Sequence, residues 1–232
     1  MPNRKLVVLT GSGISAESGL ATFRDSGGLW EGFNVHEVAT IEGWHKDRSK
    51  VLEFYNLRRK QASKAEPNKG HFAIRELEDF FEVVLITQNV DDLHEKAGSS
   101  NIIHLHGELT KARSEDNPYE VIEIGYQEIK LGDKSADGSQ LRPAIVWFGE
   151  MVPMIEKAAL EVMEAEILLV VGTSLAVYPA AGLVNYAKQG IPKYIVDPSN
   201  PELFSYEGWT HIKKTATKGL PEIVEILKNQ IN

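Results

Sequence analysis

The chain has 232 residues, of which 42% are hydrophobic and 25% are charged, and its formal net charge at pH 7 is -8. This composition is typical of a globular protein with one large domain, and the acidic balance argues against non-specific nucleic-acid binding. The absence of cysteine excludes disulfides, thiolate catalysis and cysteine-ligated zinc. No apolar run is long enough for a transmembrane helix, and the first is too short for a signal peptide. We therefore expect a cytoplasmic protein without membrane contact.

Short apolar runs alternate with helical patterns along most of the chain. The predicted strands are residues 5–10, 82–87, 101–107, 144–149, 165–174 and 193–197. The predicted helices are residues 69–81, 152–165, 178–190 and 220–231. Several strands are apolar throughout, as in a parallel sheet that is covered on both faces. The alternation predicts an α/β fold with a Rossmann-like, doubly wound parallel sheet.

Two segments interrupt this alternation. Residues 26–68 contain a glycine-rich loop and a predicted helix, while residues 108–142 are polar and rich in turns, with enough apolar residues for a short strand pair. We interpret both as insertions that build a small second lobe. The Rossmann-like domain would then comprise residues 1–25, 69–107 and 143–232. A cleft between the two lobes is the expected ligand site.

The first predicted strand runs into a Gly-x-Gly turn at Gly11 and Gly13. Backbone N–H groups of such a turn bind phosphate, and Ser12, Ser15 and Arg24 add hydroxyls and a charge suited to pyrophosphate. The G-x-G-x-x-G fingerprint is incomplete because residue 16 is alanine. A plain tight turn therefore explains the pattern equally well.

Polar side chains follow two other predicted strands. Gln88, Asn89 and Asp91 come where a strand end opens into the crevice of a doubly wound sheet. An Asn–Asp pair can bind a carboxamide, although Asp91 could equally cap a helix. Residues 172–174, with the sequence Gly-Thr-Ser, form a second turn of small residues suited to a ribose or a phosphate.

His104 and His106 lie two residues apart in NIIHLHG. Residues at this spacing share one face of a strand, so a metal pair, a catalytic base beside a neighbour and two packed imidazoles all remain open. No third metal ligand is evident nearby in the sequence. A histidine at the carboxyl end of a strand is well placed for acid–base chemistry near neutral pH.

Five motifs occur in order, namely GSGISAESGLATFRD, TQNVDDLHEKAG, HLHGEL, RPAIVWFGE and GTSLAVYPAAG. Through them nearly the whole chain closely resembles the sirtuins, the NAD-dependent protein-lysine deacylases. The resemblance implies NAD as cofactor, acyl-lysine proteins or peptides as substrates, and nicotinamide and 2′-O-acyl-ADP-ribose as products. It implies His106 and Asn89 as catalytic residues, with His106 as the general base and His104 facing the core.

The resemblance also assigns the binding residues. For NAD they are Gly11, Ser12, Gly13, Ile14, Ser15, Glu17, Phe23, Arg24, Trp30, Gln88, Asn89, Val90, Asp91, Gly172, Thr173, Ser174, Asp197 and Ala216. For the substrate they are Tyr55, Arg58, Val146, Phe148, Gly149, Glu150 and Val177, with the peptide added as a strand. In sirtuins that remove succinyl and malonyl groups, a Tyr-x-x-Arg pair binds the acyl carboxylate, and Tyr55 and Arg58 match it. The alternative is a solvated arginine beside a packed tyrosine. We expect deacetylation as well.

The chain departs from the sirtuin pattern in two places. Sirtuins usually bind zinc through two C-x-x-C pairs after HGEL, whereas this chain has Ser114 at the first position and no cysteine. We therefore expect no zinc and a lobe held by its own packing. Asp197 stands where many relatives have asparagine.

Two rival functions follow from the same motifs. One is an ADP-ribosyltransferase or NAD-cleaving enzyme on this fold, and the other is a non-catalytic NAD-sensing module. Retention of His106 and of the VWFGE motif argues against the first rival. An intact His106 with Asn89 and Asp91 argues against the second, which only the loss of the zinc site favours. The sequence does not identify the protein substrates, the ranking of acyl groups or the oligomeric state, for which a monomer is the simplest expectation.

Overall fold

The structure is a computed structural model that describes residues 4–22, 29–30 and 32–230. Phe23, Arg24 and the side chain of Trp30, all predicted to bind NAD, lie outside the described residues. Within those ranges, no helix is both long and apolar enough to pass through a membrane.

Six parallel strands form the main sheet. They are β1 (Lys5–Thr10), β4 (Glu82–Thr87), β5 (Ile102–His104), β9 (Ile167–Val171), β10 (Lys193–Val196) and β11 (Trp209–Ile212). Their spatial order is β11-β10-β9-β1-β4-β5, and every pairing is parallel. The chain winds outward from β1 to one edge and then from β9 to the other. This confirms the predicted Rossmann-like, doubly wound sheet.

Helices cover both faces of this sheet. One face is covered by α5 (Lys69–Leu77) and α8 (Ala216–Lys228), and the other by α7 (Ile155–Glu164) and a 3-10 helix (Ala180–Tyr186). Leu6 and Val8 of β1 point into the first core, whereas Val7 and Leu9 point into the second. Both faces of the strand are buried, which explains why its four central residues, 6–9, are all apolar.

A third core lies beside the main sheet. Its elements are α2 (Val35–Val38), α3 (Ile41–Lys46), α4 (Arg48–Ala62), β6 (Gly107–Ser114) and β8 (Leu141–Ile145), with β7 (Val121–Glu123) on the outer edge of β6. A two-stranded hairpin joins β2 (Leu29–Trp30) to β3 (Phe33–Asn34), and short helices α1 (Gly13–Ala16) and α6 (Leu93–Lys96) follow β1 and β4. The largest buried side chains of this core are Trp44, Phe54, Tyr55 and Trp147.

Two predicted elements differ from the structure, and one strand was not predicted. The strand predicted at residues 144–149 is β8, which pairs antiparallel with β6 and does not join the main sheet. The helix predicted at residues 178–190 is the shorter 3-10 helix. Strand β11 escapes sequence prediction because its side chains are half-buried or exposed at a sheet edge, so that it lacks a continuous apolar run.

Hydrogen bonds close the antiparallel sheet around Ser114, at the end of β6. The Ser114 hydroxyl donates to Asp137 Oδ2 at 2.5 Å, lies 2.7 Å from Ser139 Oγ, and accepts from the Asn117 N–H at 2.9 Å. Hydrogen bonds from the hydroxyl groups of Ser114 and its neighbours hold the pKa of Asp137 well below its usual range. We call Ser114, Asp137 and Ser139 the Ser114 cluster. It ties β6 to the segment before β8.

Candidate active site

A cleft of about 400 Å³ opens where β1 and β9 end side by side. These strands are neighbours in the sheet, but the chain leaves them toward opposite edges, so the cleft lies at the topological switch point. Strand ends of the main sheet line one side. Residues 145–150 and helix α4 line the other.

The two turns that form the floor of the cleft interlock through glycines. The Gly11 N–H donates to Val171 O at 3.0 Å and the Gly13 N–H to Gly172 O at 2.8 Å. A Cβ on Gly13 would lie 2.8 Å from Gly172 Cα, and one on Gly172 (φ +59°) would lie 2.5 Å from Ile14 N. No side chain fits at either contact, so these glycines are required for the two turns to approach.

The segment after β4 supplies three polar side chains to the cleft. Asn89 Nδ2 donates to Ser15 Oγ at 3.1 Å, and Gln88 Nε2 donates to Thr173 Oγ1 at 3.1 Å. Asp91 lines the cleft and also accepts from the N–H of Leu93, the first residue of α6, at 3.2 Å, whereas the N-cap position of that helix is Asp92. Burial raises the pKa of Asp91 above its ordinary value.

His106 lies on the wall of the cleft with its tautomer fixed by the backbone. Its Nδ1 is 3.1 Å from Gln88 O, and because a carbonyl oxygen can only accept, Nδ1 carries the proton. In the neutral ring Nε2 is then unprotonated. Burial lowers the pKa of His106, against the opposing effect of the Gln88 hydrogen bond. The ring is therefore a proton acceptor at neutral pH.

His104 contacts different partners from His106, and its side chain is 11% exposed. Its Nε2 lies 2.6 Å from Glu95 Oε1, and although burial lowers the pKa of His104, the Glu95 hydrogen bond and charge raise it overall. Glu108 completes a group whose ligand atoms lie within 4.8 Å of one another. Further possible metal ligands, Glu95 and Glu108, thus lie near His104, although the sequence showed none nearby. Glu108 is, however, already paired with Lys111 at 2.7 Å.

A phenol and a guanidinium from helix α4 also line the cleft. The Tyr55 oxygen accepts from Trp147 Nε1 at 2.9 Å, and burial raises the pKa of Tyr55 to about 12, so the phenol stays protonated. Arg58 lines the same cleft, and its charge acts to lower the pKa of both Tyr55 and Asp91. The adjacent Arg59 is buried and donates from Nε to a backbone carbonyl of β6 at 2.8 Å.

Glu150 has a different environment from the one expected of a substrate ligand. Its carboxylate accepts from Arg113 Nη2 at 2.8 Å, from both terminal nitrogens of Arg142 at 2.9 and 3.0 Å, and from the Trp147 N–H at 2.7 Å. Arg142 Cζ also lies 3.2 Å from the centroid of the Trp147 ring. Burial raises the pKa of Glu150, but the Arg142 hydrogen bonds lower it overall. Glu150 therefore holds the cleft wall together.

Among the described residues, the predicted site residues line this one cleft with a single exception. Ile14 is fully buried in the first core of the main sheet, so its side chain does not reach the cleft. Sequence reasoning did not predict Thr215 and did not single out Trp147 within the VWFGE motif, and both residues also line the cleft. Strand alternation predicts that Trp147 points away from the face shared by Val146 and Phe148, but β8 ends at Ile145 and the alternation does not apply.

Fold and cleft together define an α/β protein with its ligand site at the switch point of a doubly wound sheet. A family model described as the Sir2 family matches residues 11–179, and the chain belongs to this family. It is 51% identical over 229 residues to an NAD-dependent protein deacylase of Bacteroides thetaiotaomicron, covering 97% of this chain and 98% of the relative. It is 53% identical over 195 residues to an NAD-dependent protein deacylase of Helicobacter pylori (strain J99), covering 84% and 83%. The solved structure of a Sir2 homologue–NAD complex is similar, with a TM-score of 0.88 and 39% identity over 99% of this chain and 91% of that one.

Proposed function

We propose that the protein removes succinyl and malonyl groups, as well as acetyl groups, from lysine side chains in an NAD-dependent reaction. NAD-dependent protein deacylation is the activity named for relatives about 50% identical over most of the chain, and this protein is an enzyme of that class. The preference for acidic acyl groups is carried by one observation. The Tyr55 phenol and the Arg58 guanidinium lie in the same cleft as His106 and Asn89.

The residues of the cleft fit NAD. The turn of residues 11–13 lines the cleft, and because the N–H groups of its two glycines are donated to Val171 O and Gly172 O, a pyrophosphate would bind to other groups of the turn, such as the Ser12 hydroxyl. Asp197 is buried at the end of β10, and a carboxylate accepts hydrogen bonds from ribose hydroxyls. Glu17 accepts from the N–H and hydroxyl of Thr217 at 3.1 and 2.7 Å, so it positions the start of α8 beside the cleft.

The reaction consumes NAD, acyl-lysine and water and yields nicotinamide, lysine and 2′-O-acyl-ADP-ribose. NAD supplies a nicotinamide–ribose bond whose cleavage makes the ribose the acceptor of the acyl group. His106 Nε2 accepts a proton from a ribose hydroxyl, while its Nδ1–H remains bonded to Gln88 O. Asn89 is anchored on Ser15 by one of its two amide N–H groups, so its amide oxygen and its second N–H remain for a ligand in the cleft.

The acyl end requires a donor and a positive charge. Because Trp147 donates to the Tyr55 oxygen, the Tyr55 O–H can be donated to an acyl carboxylate. Arg58 adds a charge-assisted hydrogen bond to the same carboxylate. An acetyl group offers neither interaction a partner, so acetyl-lysine is the weaker substrate.

The peptide would bind along the wall of residues 146–150 and the loop of residues 175–178 as an added strand. The N–H groups of Val146 and Phe148 already donate to His106 O and Ala39 O at 3.0 and 2.9 Å. A peptide would therefore pair with other backbone groups of these segments. Binding through backbone groups tolerates many peptide sequences.

A division into two lobes forms part of this proposal, with residues 26–68 and 108–142 in the small lobe and the remainder in the Rossmann-like domain. The third core supports it, because most of its buried side chains come from these two segments. Strand β8 crosses the boundary at residue 143 and connects the lobes at the cleft.

The proposal is tested with one peptide carrying acetyl-lysine, succinyl-lysine or the uncharged succinamide analogue, each incubated with NAD. Peptide mass and nicotinamide release are followed for the wild type and for His106→Ala. We expect NAD-dependent loss of the acyl group, fastest for succinyl-lysine and slower for the succinamide of equal size, and no turnover by His106→Ala. Equal rates for succinyl and succinamide peptides would contradict the acyl assignment. Nicotinamide release at unchanged peptide mass would favour the NAD-cleaving rival, and NAD binding without nicotinamide release the sensing module.

A further inference from the structure

A line of buried polar side chains runs beneath the cleft without lining it. Its members are Thr10, Thr87, His94, His71 and Asn68, and the first four are 0% exposed. Buried polar groups are costly unless they are hydrogen-bonded. The partners of each member therefore indicate what the line holds in place.

The first half of the line leads from Asn89 to His94. The Asn89 N–H and the Thr10 hydroxyl both donate to Thr87 Oγ1, at 3.0 and 2.8 Å, and Thr10 Oγ1 lies 3.1 Å from His94 Nε2. Because the Thr10 hydrogen is used on Thr87, its oxygen accepts from His94, and Nε2 carries the proton. Nδ1 of the neutral His94 ring is then an acceptor.

The second half of the line leads from His71 to helix α1. His71 Nδ1 accepts from the Asn68 N–H at 3.2 Å, so His71 carries its proton on Nε2. The Asn68 side chain donates to Ile14 O at 2.8 Å and to Ser18 Oγ at 2.9 Å. This end of the line therefore holds α1 and the residues directly after it.

The two halves meet at the histidine rings, whose centroids are 5.0 Å apart at an interplanar angle of 63°. The nitrogens left over are a donor, His71 Nε2, and an acceptor, His94 Nδ1, and neither has a hydrogen-bond partner within the described part of the chain. Their roles are complementary. Burial lowers the pKa of His71 to about 4 and that of His94 well below its ordinary value, which keeps both rings neutral as these tautomers require.

We infer that His94 is a positioning residue, which acts through the hydroxyls of Thr10 and Thr87 to fix the Asn89 backbone at the cleft. The other anchor of Asn89 is its side-chain bond to Ser15 of α1, so the line closes into a ring that starts and ends on α1. The ring holds Asn89 and the helix after the glycine turn in one fixed relation. The inference depends on the proposed function only in taking Asn89 as a reacting-centre residue.

A matched pair of substitutions tests the link to Thr10. In His94→Gln the amide nitrogen occupies the position of imidazole Nε2 and can still donate to Thr10, whereas the shorter side chain of His94→Asn cannot reach it. Thr10→Ser keeps the hydroxyl and Thr10→Val removes it. For each variant, kcat and KM for NAD and for peptide are measured, and melting temperature and circular dichroism establish that the protein is folded.

We expect His94→Gln and Thr10→Ser to retain kcat, and His94→Asn and Thr10→Val to lose at least tenfold with the peptide KM unchanged, because a shift of about 1 Å at a reacting group can cost on the order of 100-fold. The kcat of the double variant His94→Asn/Thr10→Val should be no lower than that of the less active single variant, since both substitutions break the same path. Equal kcat for the Gln and Asn variants, or multiplicative losses in the double variant, would overturn the inference. If the wild type shows no turnover, the proposed function fails. The ring is then tested by comparing the NAD-induced rise in melting temperature between His94→Gln and His94→Asn.

Discussion

Replacement of Arg58 by methionine separates the recognition of the acyl group from the rest of the reaction. Methionine keeps the length and apolar stem of the side chain but removes the guanidinium. Arg58 is half-buried in the wall of the cleft, so solvent screens its charge less than that of an exposed arginine. We expect the loss to fall on substrates with a carboxylate at the acyl end.

The expected magnitude follows from the interaction removed. A hydrogen bond to a charged group contributes about 1.5–3 kcal/mol, and each 1.36 kcal/mol of barrier is about a factor of ten in rate. The kcat/KM for succinyl-lysine peptide should therefore fall about 10- to 150-fold. Arg58 also lowers the pKa of Asp91, so its removal affects the NAD side of the cleft as well. That second effect is common to all peptides, and the ratio of succinyl to acetyl kcat/KM removes it.

The assay measures this ratio for the wild type, Arg58→Met and Lys60→Met. Lys60→Met is the matched control, because it removes one positive charge from an exposed position on the same helix, outside the cleft. We expect the ratio of succinyl to acetyl kcat/KM to fall strongly in Arg58→Met and to stay at the wild-type value in Lys60→Met. If Arg58→Met lowers both activities by the same factor, Arg58 contributes to NAD binding or to the fold, and the acyl-carboxylate assignment is refuted.

Three further predictions concern the wall, the base and the Ser114 cluster. Trp147→Phe removes the donor to the Tyr55 oxygen, a hydrogen bond that contributes about 0.5–1.5 kcal/mol. The ratio of succinyl to acetyl kcat/KM should therefore fall by a factor of roughly 2–12. An unchanged ratio would show that Tyr55 does not need this donor. The pKa of His106 is lowered from its ordinary value of 6.5, so kcat/KM should fall with decreasing pH only below 6.5, and a midpoint above 6.5 would contradict its role as the base. The pKa of Asp137 is lowered, so its carboxylate stabilises the fold above the ordinary value of 3.8, and that stabilisation is lost as pH falls further. Asp137→Asn should therefore lower the melting temperature at pH 7, by a margin that narrows below pH 3.8, whereas incubation with a chelator should leave the wild-type melting temperature unchanged.

The main sheet and the floor of the cleft were accessible from the sequence for a physical reason. A parallel strand buried on both faces must be apolar throughout, and a close approach of two turns requires glycine. Residues 6–9 of β1 and residues 167–171 of β9 are all buried and apolar. Gly13 and Gly172 lie at the contact between the turns that follow these two strands. These constraints are local, and they leave a clear pattern in the residues.

The arrangement of the wall was less accessible because it depends on contacts between distant residues. Glu150 lies in a motif that suggests substrate contact, but its partners Arg113 and Arg142 belong to β6 and β8. His104 shares a strand spacing with His106, yet β5 ends at His104 and the alternation stops there. In both cases the side chain's role is set by tertiary partners that no local pattern specifies.

The Ser114 cluster lies at one end of a path of contacts that reaches Tyr55, which we propose binds the acyl carboxylate. Glu115, the next residue, accepts from Trp44 Nε1 at 3.0 Å and pairs with Arg48 at 2.8 Å, which fastens the end of β6 to α3 and α4. The Trp44 ring lies 5.6 Å from that of Trp147, whose indole N–H holds Tyr55.

In a chain without cysteine, these contacts join the end of β6 to the segment before β8 and to α3 and α4. Tyr55 and Arg58 both lie on α4, whose buried face packs in the same core. The glycine turns, Asn89 and Asp91 are instead held by the ends of the main sheet. In the proposed reaction, recognition of the acyl group and cleavage of NAD thus depend on two separately stabilised regions. Loosening the third core should weaken the recognition of acidic acyl groups before it weakens cleavage of NAD, because only the first depends on where α4 lies.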